Sequence, residues 1–213
     1  MKLRGLYAIT PDDAHSARFL VRVRAALEGA DEGGWAALQY RNKLAEPGDR
    51  LVQARTLAAL AQGKGVPFIV NDDTELARQV GADGVHLGRQ DGSLAQARRR
   101  LPGKLIGASC HDSLAAARAA VAAGADYVAF GSVYASRTKP GVGRAPLALF
   151  REARVLGVPL VAIGGIDADN APAVIRAGAD AIAVIAALFD APDIAARARA
   201  LARLFDTAQA ARP

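Results

Sequence analysis

Short, nearly continuous apolar runs alternate along the chain with longer stretches in which apolar residues return at helical spacing. The first kind predicts strands at 3–10, 36–43, 67–72, 84–88, 105–110, 127–133, 159–165 and 181–188. The second predicts helices at about 14–27, 47–62, 74–80, 93–101, 113–123, 146–156, 168–176 and 194–208. These are eight of each in strict alternation, with no domain-sized remainder and no low-complexity linker. The triplet Gly-Ala-Asp recurs from Gly29, Gly81, Gly124 and Gly178, each time after a predicted helix. Its glycine suits the left-handed residue that ends a helix. In the last three copies an apolar strand follows at once: "GADGVHLG", "GADYVAFG" and "GADAIAVI".

Strands that are apolar on both faces, each followed by a helix, predict an α/β chain folded as one (β/α)8 TIM barrel over residues 1–213. An open doubly wound sheet is the alternative. The even count of units and the lack of a G-x-G-x-x-G after the first strand disfavour it.

Composition narrows the picture. Of 213 residues 52% are hydrophobic but only 5% are aromatic, so Ala, Val, Leu and Gly must carry the packing. A single cysteine, Cys110, excludes an internal disulfide and fits a reducing compartment. The start "MKLRGLYAITPDD" lacks the features of a secretory signal, and no apolar run is as long as a membrane span. The expectation is a cytoplasmic protein without a membrane partner. The net charge of +6 comes mostly from arginines scattered along predicted helices, with one run at Arg98–Arg100 and no interleaved aromatics. A solvated surface explains this better than nucleic acid, which is not expected as a partner.

In a barrel of this kind the chemistry sits at the C-terminal ends of the strands. Strand two ends "LQYRNK", where alternation puts Gln39, Arg41 and Lys43 on one face. Strand three ends "FIVNDD", presenting Asn71 and Asp72, with Asp73 placed to cap the next helix. Strand four ends "VHLGRQDG", bringing Asp91 near, while His86 reads as a packed core residue. Two carboxylates on neighbouring strands beside cations read as a Mg²⁺–diphosphate site. Strand five ends "GASCH": Ser109 is a small donor, and the pleat points Cys110 and His111 apart, against a Cys–His nucleophile. After strand six comes "GSVYASRTKPGVG", where Ser136, Arg137, Thr138 and Lys139 stand on a Gly- and Pro-braced loop suited to an anion. Strand seven ends "VAIGGID", with Gly165 approaching a helix expected to begin near Asp167, and strand eight ends "IAVIAALF". Loops seven and eight commonly bind phosphate through backbone amides. Two anion sites follow, one cationic and one neutral, with Lys139 between them.

The pieces "LYAIT", "LQYRNK", "FIVNDD", "GADGVHLGRQDG", "IGASCH", "GADYVAFGSVYASRTKPG", "VAIGGI" and "GADAIAVI" stand in order over essentially the whole length. As a set they resemble the thiamine phosphate synthase (thiamine-phosphate pyrophosphorylase) family. The resemblance implies a Mg²⁺-dependent transferase of thiamine biosynthesis. It would join 4-amino-2-methyl-5-(diphosphooxymethyl)pyrimidine to 4-methyl-5-(2-phosphoethyl)thiazole or its carboxylate, releasing pyrophosphate. It further implies that Gln39, Arg41, Lys43, Asn71 and Ser109 hold the pyrimidine diphosphate and that Asp72 and Asp91 bind Mg²⁺. By the same match Ser136, Arg137 and Thr138 form the thiazole-phosphate loop, completed by Gly165, Ile185 and Ala186, while Lys139 takes the departing pyrophosphate. Lys139, Arg41 and Lys43 are the groups the resemblance puts closest to the chemistry. Ser132, Tyr134 and Ala186 depart from the family's common Pro, Phe and Ser or Thr. Alternatives on the same barrel are a thiazole tautomerase, which is an isomerase, and a non-catalytic sensor of phosphate compounds. Retention of Asp72, Asp91, Arg41, Lys43 and Lys139 together favours the synthase. Small-molecule substrates are the expected partners, and a homo-oligomer is left open.

Overall fold

The computed structural model describes residues 3–30, 33–135 and 144–210. Strands β1 (Gly5–Ile9), β2 (Trp35–Tyr40), β3 (Phe68–Asn71), β4 (Gly84–Leu87), β5 (Leu105–His111), β6 (Tyr127–Phe130), β7 (Leu160–Ile163) and β8 (Ala181–Val184) are all parallel. They close in sequence order, β8 pairing with β1, into the expected barrel. Between and after them run α1 (Ser16–Glu28), α2 (Pro47–Gly63), α3 (Thr74–Gln79), α4 (Leu94–Arg100), α5 (Leu114–Ala122), α6 (Ala148–Ala153), α7 (Ala171–Ala177), α8 (Ala186–Phe189) and α9 (Ile194–Ala210).

Strand alternation sorts the apolar residues into two cores. Tyr7, Ile9, Ala37, Ile69, Tyr127, Ala129, Val161 and Ala183 cluster together inside the barrel. Their chain neighbours, such as Leu6, Leu38, Val70, Val128 and Ile182, join the larger cluster with the helices. In register Tyr7 stands between Ala37 of β2 and Ala183 of β8, a large side chain beside two small ones.

The Gly-Ala-Asp repeat has a second role. Asp83 accepts the Phe68 amide at 2.8 Å, Asp126 that of Ile106 at 2.7 Å, and Asp180 that of Leu160 at 2.9 Å. Each aspartate thus ties the start of its own strand to the start of the strand before it, closing the barrel's lower rim. Arg98 and Arg154 complete two of these caps by pairing with Asp126 and Asp180. Gly81, Gly124 and Gly178 take the expected left-handed conformation, with φ of 66°, 96° and 117°. Gly29 does not, with φ −79°. It is glycine because a side chain would collide with Ala195 and Ala198 of α9.

The strands are mostly shorter than the sequence reading, β6 ending at Phe130 and β7 at Ile163, and two of the differences bear on the site. β2 stops at Tyr40, so Arg41 and Lys43 lie in the loop beyond it. The run 181–188 is not one strand: β8 ends at Val184 and α8 follows at once. Continuous apolar residues cannot distinguish a buried strand from a buried helical turn.

Candidate active site

A cavity of about 620 Å³ opens at the C-terminal end of the barrel. Gln39, Arg41, Asn71, His86, Ser109 and His111 line one side of it; Gly164, Gly165, Ile166, Ile185, Ala186 and Ala187 line the other. A smaller pocket of about 260 Å³ adjoins it, walled by Arg41, Lys43, Arg50, Asn71 and Asp72. The cations Arg41 and Lys43 stand on the first side, whereas the second is rich in glycine and includes the carboxylates Asp167 and Asp190.

The charged side is built by the loops after β1 and β2. Thr10 locks them together: its hydroxyl donates to the Arg41 carbonyl at 2.7 Å and accepts the Arg41 amide at 2.8 Å. Asp12 receives the Arg41 guanidinium at 2.8 Å and the Lys43 amide at 2.7 Å. Below it Asp13 accepts Arg18 through both oxygens, at 2.7 and 2.8 Å, and the Asn42 side chain accepts the Asp13 amide at 3.1 Å. The bond to Arg18 holds the Asp13 carboxyl well down, at about 2. None of these acidic partners was singled out from the sequence, although "ITPDD" places both directly after the first strand.

Asp72 sits in the left-handed region with φ 64°, a conformation aspartate tolerates better than most residues. Its amide donates to the His86 carbonyl at 2.8 Å, and its carboxylate accepts Asn71 Nδ2 at 2.5 Å. Asp73 caps α3 as expected, accepting the Leu76 amide at 2.8 Å. Asp91 folds back to accept the Gly88 amide at 2.9 Å. Burial first, and then Asp91, push the Asp72 carboxyl up to about 6, while Asn71 and then Lys43 pull it back only in part. Among the described residues no cluster of three or more His, Cys, Asp or Glu side chains forms. A cation held here would complete its shell with oxygens other than the protein's.

Cys110 is buried on the outer face of β5, where burial lifts its thiol to about 11. His111, past a register shift in the β5–β6 pairing, lines the cavity instead. The two are separated as expected, and a thiolate nucleophile is disfavoured.

On the glycine-rich side Gly165 has φ 63°, and the Ala186 and Ala187 amides open α8, where a helix has no internal acceptor. The helix expected near Asp167 begins later, at Ala171. The Asp167 carboxylate itself accepts the Asp169 and Asn170 amides, both at 3.0 Å, so those donors are already used. Ser136, Arg137, Thr138 and Lys139 lie outside the described residues.

The family model described as thiamine monophosphate synthase matches residues 6–188. The chain belongs to that family. Among family members, the thiamine-phosphate synthase of Chromobacterium violaceum is 58% identical over 205 residues, 96% of this chain and 97% of its own. That of Aromatoleum aromaticum is 55% identical over 207 residues, 96% and 98% of the two chains. A solved structure, thiamine phosphate pyrophosphorylase from Pyrococcus furiosus, superposes with a TM-score of 0.83 at 34% identity, covering 97% of this chain and 98% of that one. As a member of the thiamine monophosphate synthase family the chain is an enzyme, a transferase of thiamine biosynthesis. Among the described residues no helix is long and apolar enough to cross a membrane.

Proposed function

We propose that the cavity joins 4-amino-2-methyl-5-(diphosphooxymethyl)pyrimidine to 4-methyl-5-(2-phosphoethyl)thiazole, giving thiamine phosphate and pyrophosphate, or to the thiazole carboxylate, giving the same products and carbon dioxide. One observation carries this reading. A side that carries Arg41 and Lys43 and a glycine-rich side that carries no lysine or arginine among its described lining residues face each other across adjoining cavities. That arrangement suits two phosphorylated substrates held end to end.

Gln39, Arg41, Lys43, Asn71 and Ser109 would hold the pyrimidine diphosphate. Arg41 and Lys43 carry the charge, and Asp12 keeps their loop in place. Gly165, Ile185 and Ala186 would offer backbone to the thiazole phosphate. The family motif adds Ser136, Arg137 and Thr138 to that phosphate and Lys139 to the leaving pyrophosphate.

The residues fit Mg²⁺. Asp72 and Asp91 are two hard oxygen donors forced together, and this ion commonly takes one or two carboxylates plus phosphate oxygens and water. Bound there, Mg²⁺ would neutralise charge on the diphosphate oxygens. The reaction itself is a substitution. The bond from the pyrimidine methylene carbon to the diphosphate oxygen breaks, and its electron pair leaves with the oxygen. The aminopyrimidine ring supports the methylene cation, and the thiazole nitrogen lone pair closes the new carbon–nitrogen bond. Protein groups need supply no nucleophile. Their work is to fix both substrates and stabilise the departing charge.

The test is pyrophosphate release. It is expected only when both substrates and Mg²⁺ are present. Conversion of the thiazole alone would instead indicate an isomerase, and binding of both substrates without release would indicate a sensor.

A further inference from the structure

Four side chains that line the cavity form one hydrogen-bonded line across the barrel. The Tyr7 and Tyr127 hydroxyls are 2.8 Å apart, Tyr127 is 3.1 Å from His86 Nδ1, and His86 Nε2 is 2.8 Å from Ser109 Oγ. Strand register builds the line. His86 stands opposite Gly107, and Gly107 opposite Tyr127. A Cβ on Gly107 would collide with the Tyr127 ring and hydroxyl and come within 2.5 Å of His86 Nδ1. The glycine is what leaves room for the contact.

The line has a direction, which donor accounting settles. Burial keeps His86 neutral, so its ring has one donor and one acceptor. Suppose Ser109 donated to Nε2. Nδ1–H would then donate to Tyr127, and Tyr127 to Tyr7. The Tyr7 proton, on a cavity-lining residue only 2% exposed, would have no acceptor among the described residues, whereas Ser109 is the more open of the two to the cavity. An unmatched buried donor is costly. In the opposite sense every buried donor is used: Tyr7 to Tyr127, Tyr127 to Nδ1, and Nε2–H to Ser109. The Ser109 hydroxyl proton is then left to point into the cavity.

We propose that Tyr7, Tyr127 and His86 are positioning residues that fix Ser109 as a hydrogen-bond donor to an acceptor atom of the pyrimidine diphosphate. This rests on the functional reading above and deepens it. The site favours a substrate that presents an acceptor at Ser109, because the Ser109 proton has no partner within the line.

Nitrogen NMR of the His86 ring reads the polarity directly, without substrate. The proton is expected on Nε2 in the wild-type protein. A proton on Nδ1 would overturn the inference, whatever the enzyme's activity. Calorimetry with the pyrimidine diphosphate supplies the functional arm. Tyr127→Phe, which removes one hydroxyl and keeps the ring, should weaken binding about fivefold to tenfold, the scale of one neutral hydrogen bond. It should leave thiazole-phosphate binding unchanged, and in a Ser109→Ala background the same substitution should have no further effect. Equal losses in both backgrounds, or for both substrates, would mean that the tyrosine only packs. Tyr7→Phe, one step further from Ser109, should show the same pattern more weakly and serves if Tyr127→Phe folds poorly. If wild-type protein with Nε2 protonated fails to bind the pyrimidine diphosphate, the functional reading falls and the assigned substrate with it.

Discussion

Arg41 ends on Asp12: the guanidinium donates to Oδ2 at 2.8 Å, while the other carboxylate oxygen takes the Lys43 amide at 2.7 Å. One acidic side chain from the first loop thus orders both cations of the second. It could act as a competitor for Arg41 or as its support. The second bond decides, because a mere competitor would not also anchor the backbone of the loop. Asp12→Ala is therefore expected to raise KM for the pyrimidine diphosphate about tenfold, the scale of losing one hydrogen bond to a charged group. Steady-state kinetics check this, and a lower KM would identify Asp12 as a competitor.

On the proposed reading Asp72 and Asp91 hold a cation, and in its absence their charges oppose each other. In chelator, Asp72→Asn should raise the unfolding temperature, because it removes a half-buried carboxyl whose pKa burial, and after it Asp91, lift to about 6. In Mg²⁺ the same variant should lose about 10²-fold in turnover and the wild type's stabilisation by the ion. Thermal unfolding with and without Mg²⁺ is the measurement. An identical Mg²⁺ response in both proteins would remove Asp72 from the metal site.

The lower-rim caps predict an effect on stability alone. Asp126 satisfies the buried Ile106 amide at 2.7 Å, far from the cavity mouth. Asp126→Ala should cost about 1–3 kcal/mol, the penalty for a buried donor left without its partner, and leave both KM values as they were. Denaturant unfolding and kinetics on one preparation test the separation.

Stability should also respond to pH through His86. Burial lowers its pKa to about 4, against about 6.5 in an unfolded chain. Between those values the unfolded chain carries a proton that the native protein does not. Stability from this group is therefore complete above about pH 6.5 and falls as pH drops toward 4. Denaturation curves across that window should fall more steeply for wild type than for His86→Gln. Parallel pH profiles would contradict the assignment.

The alternation of apolar runs was enough to read a closed barrel, because each strand is buried on both sides and each helix on one. It failed at 181–188, where strand and short helix are equally apolar. The ends of the strands displayed Arg41, Asn71, Asp72 and Ser109 because loop polarity stands out against apolar strands. The support beneath them was less visible. Asp12 and Thr10 act through contacts with a loop about thirty residues away, which spacing does not reveal. His86 is buried as its place in a strand suggested, yet it also lines the cavity, since a barrel's interior is both core and site. Gly165 was expected to leave room for a phosphate. The structure shows that a side chain there would first strike Tyr134 and Ala135. Gly165→Val would thus displace the β6 loop and is a poor probe of phosphate binding; Ala186→Ser probes the same wall without that collision.

The central claim is the joining of two phosphorylated substrates with loss of diphosphate. Phosphorus NMR of one reaction containing both substrates and Mg²⁺ tests it most directly. The account predicts that the diphosphate signals of the pyrimidine are replaced by free pyrophosphate, in equal amount to the new thiamine phosphate signal, and that omitting the thiazole abolishes thiamine phosphate. Unchanged diphosphate signals in the complete mixture would contradict it.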